Sequence, residues 1–233
     1  MFLLRPLKLL VCLTVLSVFA TSASADFTSI SQPDSAYTSS TTVLNMTGIS
    51  SGSSGTSYTQ GAQTITSNTL LTKWTVGIPL GYSFWGSPPN TETSQPEQLI
   101  TGGSTTSVTL SLATPQNTFG FEVQGSPSNP ITTTFTVNFF DASNNLVGSI
   151  ARAVDANQLN VATGAGALLF AATSNSNPFI RATIVAPGGF TGGFGVAQIR
   201  WGTTAVPEPA SVALMAQAAL GFGYMAYRRR RKV

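Results

Sequence analysis

Thr133-Thr134-Phe135-Thr136-Val137-Asn138-Phe139-Phe140-Asp141-Ala142-Ser143-Asn144-Asn145-Leu146-Val147-Gly148-Ser149-Ile150 carries the clearest structural signal in the chain. Phe135, Val137 and Phe139 alternate with Thr134, Thr136 and Asn138, a period of two that sets one apolar and one polar face on an extended strand. Asp141 to Asn145 is a run of turn formers, and Leu146 to Ile150 returns as a second strand, so the segment predicts a β-hairpin.

The same period recurs outward from this hairpin. Val108, Leu110 and Leu112 alternate with Ser107, Thr109 and Ser111, and Phe119, Phe121 and Val123 alternate with Thr118, Gly120 and Glu122. Both read as half-buried strands. Further strands are expected at Ala167–Ala172, Ile180–Ala186 and Gly195–Trp201, the last with Ala197, Ile199 and Trp201 on one face. Weak strands near Val43 and Tyr58 flank the flexible Ser51–Gly55, and only Asp155–Thr163 suggests a short helix. The fold class is therefore mainly β, a single antiparallel β-sandwich or jelly-roll-like domain over residues 26–205.

The ends differ in kind. Arg5 and Lys8 accompany an apolar run from Leu7 to Ala20, and Ala23-Ser24-Ala25 supplies the small residues a signal peptidase needs before Asp26. Residues 1–25 thus read as a secretory signal peptide. Its Cys12 is the sole cysteine, so the exported chain has no disulfide, and there is no histidine at all. The formal charge is +3, yet from Asp26 to Val206 four cations stand against seven carboxylates, a balance of −3. The basic excess sits in the ends and points to no nucleic-acid partner.

At the other end Val206-Pro207-Glu208-Pro209 precedes an uncharged, largely apolar stretch from Ala210 to Tyr227, then Arg228, Arg229, Arg230, Arg231 and Lys232. Proline is tolerated in a first helical turn, so a helix over 210–227 is expected, about 27 Å long and just enough to cross a hydrocarbon core. The basic cluster acts as a stop-transfer segment on the cytoplasmic side.

The order Pro-Glu-Pro, apolar helix, arginine cluster resembles the PEP-CTERM sorting signal, whose segment also carries the name ice-binding protein C-terminal domain. The resemblance implies recognition by an exosortase in the inner membrane, cleavage near Pro207 to Pro209, and delivery to the cell surface or extracellular matrix; Pro207, Glu208 and Pro209 are then substrate. A plain permanent membrane anchor is the alternative. The order of Phe119-Gly120-Phe121-Glu122, Phe139 to Gly148, Phe170, Pro178 to Ile184 and Gly193-Phe194-Gly195-Val196 resembles the ectodomain common among such proteins. The acidic residue often found after the last of these is replaced here by Val196, Ala197 and Gln198.

Without histidine or an exported cysteine, the usual nucleophile–base pairs and zinc ligand sets are missing, and no cofactor is implied. An enzyme would have to work through carboxylates, as a carbohydrate-active enzyme built on Glu122 and Asp141 would. Asp141 to Asn145 offers a single carboxylate, few for calcium, and is read as a turn. Threonine is abundant, but no regular repeat supplies an ice-binding array. Trp74, Tyr82 and Trp85 form a candidate aromatic platform for polysaccharide, set against the commoner use of such residues as core. The expected function is that of an exported, non-enzymatic surface protein associated with extracellular polysaccharide.

Overall fold

A computed structural model describes residues 26–75, 85–126, 132–155 and 166–204. Twelve strands and one short helix follow in the order β1 (Phe27–Ile30), α1 (Ser35–Ser40), β2 (Thr42–Val43), β3 (Ser54–Gln60), β4 (Gln63–Thr75), β5 (Glu97–Thr101), β6 (Ser107–Gln116), β7 (Thr118–Gly125), β8 (Thr132–Asp141), β9 (Leu146–Asp155), β10 (Leu168–Ser174), β11 (Phe179–Val185) and β12 (Phe194–Gly202). Every pairing between them is antiparallel.

Two walls face each other. One runs β1-β10-β7-β12-β5 and the other β6-β11-β8-β9, and hydrogen bonding continues from one to the other through β4. Ile65 to Ser67 of β4 pair with β6, while Leu71 to Thr75 pair with β5, so this one strand turns the corner between walls. The expected sandwich is therefore a single curled sheet, nearly closed on itself. Its far edges meet where Arg152 of β9 donates from Nη2 to the Ile30 carbonyl at 2.9 Å and from Nη1 to the carbonyls of Ser31 at 2.9 Å and Leu169 at 2.5 Å. At the same seam Phe27 of β1 lies against Gly148 of β9, where an added Cβ would collide with the Phe27 ring.

The core lies between the walls. Phe119 and Phe121 of β7, Phe170 of β10 and Val196 of β12 meet Phe135, Val137 and Phe139 of β8 and Leu110 of β6, all fully buried. Phe119 and Phe139 cross the gap edge to face with centroids 6.4 Å apart, a geometry aromatic pairs favour. Each such ring contributes about 2 kcal/mol by leaving water.

The β8–β9 hairpin is present, closed by Asp141: its carboxylate accepts from the Asn145 backbone N–H at 2.8 Å and from Asn145 Nδ2 at 3.0 Å, with Asn144 at φ 69°. Those donors hold the Asp141 carboxyl below its ordinary pKa. Three expectations need correction. Residues 35–40 form a helix, capped by the Asp34 carboxylate accepting from Tyr37 N at 2.9 Å; an N-cap of this kind is visible in sequence. β7 is not half-buried, for all eight of its residues are covered. In β12 the register shifts between Ala197 and Arg200, with Gln198 at φ 47°. This irregularity breaks the alternation, so Ile199 and Trp201 enter the main core whereas Ala197 packs with Trp85 and Ala167.

No helix among the described residues is long and apolar enough to cross a membrane. Residues 210–227 and the suggested helix beyond Asp155 lie outside the described residues.

Candidate functional site

The outer face of β7 is where charge concentrates. Alternation sends Phe119, Phe121 and Val123 inward, so Gly120, Glu122 and Gln124 face out. That face is not solvent: α1 lays Tyr37 over it, and the segment from Trp85 to Gln95 lies across it. Glu122 is fully buried. One of its oxygens accepts from Trp85 Nε1 at 2.6 Å and the other from the Glu92 backbone N–H at 2.7 Å. Burial pushes its pKa up to about 8, against the opposing pull of the Glu92 amide, the Trp85 indole and Arg200.

Arg200 of β12 completes the cluster. Its Nη2 donates to the Glu92 carboxylate at 2.7 Å, its Nε to the second carboxylate oxygen, and its Nη1 to the carbonyls of Thr38 and Thr41, each at 3.2 Å. A bidentate fork thus ties the end of α1 to the 85–95 segment over the sheet. The Tyr37 hydroxyl, buried among these groups, has no hydrogen-bond partner among the described residues, and burial raises its pKa well above the usual phenol value. Gly120 permits this approach: a Cβ there would meet the Tyr37 hydroxyl at 2.6 Å and Ala171 Cα at 2.8 Å.

Sequence-derived candidates are distributed as follows. Trp85 is fully buried with its indole N–H committed to Glu122, so it presents no face to a ligand. Trp74 is half-buried on β4, and Tyr82 lies outside the described residues. Glu122 and Asp141 are not brought together; the first is enclosed on the outer face of one wall and the second caps an exposed turn at the edge of the other. Glu97 pairs with Lys73 at 2.7 Å, and Lys73 also donates to the Ile49 carbonyl at 2.8 Å. Asp26, the residue after the proposed signal-peptidase point, accepts from Ser176 N at 3.0 Å and from Ser174 Oγ at 3.1 Å, and the Ser176 donors lower its pKa. Ala23, Ala25, Val206, Pro207, Glu208, Pro209 and Arg228 to Lys232 lie outside the described residues. No group of three or more metal-ligating side chains occurs among the described residues.

A second feature was not anticipated from sequence. A cleft of about 470 Å³ opens beside the end of β12, between the β3–β4 turn, β6 and the strand leaving α1. Gln63, Gln116, Trp201 and Gly202 are its buried base, and Thr42, Gly61, Ala62, Thr114 and Thr203 its exposed rim. These residues are scattered over four segments, and no spacing in the chain connects them.

No protein-family model matches this chain, and none of the curated proteins compared with it matches. Among solved structures it is similar to the C-terminal family 22 carbohydrate binding module of Clostridium thermocellum Xyn10B, at 16% identity and TM-score 0.33 over 61% of this chain and 88% of that one. It is also similar to the family 11 carbohydrate-binding module of Clostridium thermocellum in complex with a mixed-linked tetrasaccharide, at 10% identity and TM-score 0.31, covering 72% and 98%. The enzymatically active domain of bacteriophage CBA120 tailspike protein 4 aligns at 18% identity and TM-score 0.30, over 61% of this chain and only 19% of that one. Likenesses this loose decide neither topology nor function.

Proposed function

We propose that the chain is an exported, non-enzymatic cell-surface or extracellular-matrix protein that associates with polysaccharide and is sorted and cleaved by an exosortase at its C-terminal signal. The observation that carries this reading is the order of Pro207-Glu208-Pro209, the uncharged apolar stretch to Tyr227 and the Arg228 to Lys232 cluster. Asp26, the first residue after the proposed signal peptide, is bound to Ser174 and Ser176, and Phe27 packs on Phe139 and Phe179 with centroids 5.8 and 6.2 Å away, so both belong to the folded domain. Thr204 belongs to it as well, its carbonyl accepting from Thr118 Oγ1 at 2.9 Å.

The two carboxylates that a glycosidase reading would need support the non-enzymatic one instead. Glu122 has both oxygens occupied by N–H donors under a covering segment, and Asp141 is bound into its own hairpin turn. The test is intact mass and terminal peptide mapping of the protein from its native envelope and medium. A chain running from Asp26 to between Pro207 and Pro209 is expected; one still ending at Val233 would overturn the processing step and leave a permanently anchored envelope protein.

A further inference from the structure

We propose that the cleft beside the end of β12 is the binding site, and that it takes a segment of neutral glycan; this rests on the polysaccharide reading above and names the site and ligand charge that reading leaves open. Its volume, about 470 Å³, is that of a small-molecule site. Among the described residues no Asp, Glu, Lys or Arg lines it. A site without charge gives no advantage to phosphate, carboxylate or ammonium, whereas hydroxyl and amide groups suit a ligand that is itself polyhydroxylated.

The base of the cleft carries unused hydrogen-bonding capacity in a set order. Gln116 Nε2 donates to Thr114 Oγ1 at 3.1 Å, and Thr114 Oγ1 donates to Gln63 Oε1 at 2.6 Å. This relay consumes a donor of Gln116 and the acceptor of Gln63. Left over are Gln63 Nε2 and Gln116 Oε1, both buried and both without a partner among the described residues, with each residue more than nine-tenths covered. One free donor and one free acceptor in the same base match a sugar hydroxyl, which offers both. The terminal torsion of glutamine is soft, so a small rotation can present either group to a ligand. Trp201, also at the base, adds the apolar surface that a sugar's C–H face packs against. Buried polar groups are ordinarily satisfied; two exceptions in one cleft are explained if the missing partner is the ligand.

The full-length chain in detergent would be titrated with cellotetraose and maltotetraose as neutral probes and tetragalacturonate as a charged one, by NMR or calorimetry. Saturable binding of a neutral probe is expected. Gln116→Leu should weaken it about tenfold or more with little change in Tm, because it removes the unsatisfied Oε1 together with the Nε2 bond to Thr114 Oγ1 and the two effects oppose each other. Ala62→Phe, on the exposed rim, should block entry while leaving the base untouched. Neutral binding that neither variant alters would overturn the cleft and leave polysaccharide association standing. Preference for tetragalacturonate would overturn the neutral assignment. Silence of all three probes up to about 10 mM would overturn the site, and co-sedimentation with the native exopolysaccharide would then decide the broader reading separately.

Discussion

Replacing Glu122 by glutamine tests whether the buried cluster holds a neutral carboxyl. Burial raises the Glu122 pKa from an ordinary 4.5 to about 8. The folded state therefore binds this proton more tightly than the unfolded chain does, and between those two values folding takes a proton up. The stability contributed by Glu122 is fully present below about pH 4.5, is lost as pH rises toward 8, and is level above it. At about 1.4 kcal/mol per pH unit, the loss across the window is on the order of 5 kcal/mol, a large share of a domain's usual stability. The chain has no histidine, so no other side chain ordinarily titrates between pH 5 and 8. Asp26 and Asp141, whose pKa values are lowered, titrate below it. Urea unfolding at pH 5, 6, 7 and 8 should show the midpoint falling steadily in the natural protein and staying level in Glu122→Gln, whose neutral amide can still accept from the Trp85 indole. A flat profile in the natural protein would refute the reasoning, since it would mean that the two N–H donors and Arg200 outweigh burial and keep Glu122 ionised. An equal slope in the glutamine variant would place the titrating group elsewhere.

Two structural substitutions check the seam and the covered face. Arg152→Ala removes three hydrogen bonds that join β9 to the β1 and β10 edge, from a guanidinium whose pKa is lowered by burial. A loss of about 3 kcal/mol is expected in urea unfolding, and an unchanged midpoint would show that the seam closes without it. Gly120→Ala puts a methyl onto Ala171 and into the Tyr37 hydroxyl; overpacking of about 1–3 kcal/mol should lower Tm and loosen α1, seen as faster amide exchange at Tyr37 and Thr38, whereas native-like Tm and exchange would show that the helix does not press on β7 as described.

Much of this molecule was legible in its residues alone. A period of two in Phe135, Val137 and Phe139 fixes which side chains share a face, and Asp141 with Asn144 and Asn145 closes a turn by local hydrogen bonds, so both the strand and the hairpin follow from neighbours in the chain. Asp34 before Ser35 is a helix-start signal of the same local kind, missed because the six-residue helix it caps is too short to show an apolar period. Burial of both faces of β7 was not legible, because it depends on α1 and the segment beginning at Trp85 arriving from elsewhere; the same composition on an uncovered strand would put Glu122 in water. Trp85 illustrates the limit, since an indole beside a Pro-rich loop reads equally as platform or core until its N–H is seen to meet a carboxylate 37 positions away. The irregularity at Gln198 reverses the face of Ala197 for a backbone reason that no alternation announces. The cleft brings Gln63 of β4 beside Thr114 and Gln116 of β6 because the start of β4 pairs with β6 before the strand crosses to the other wall. Local periodicity and the composition of the ends are properties of neighbours along the chain; enclosure, pairing of distant charges and the hollow beside Trp201 arise from which strands become neighbours in space, and only the tertiary structure decides that.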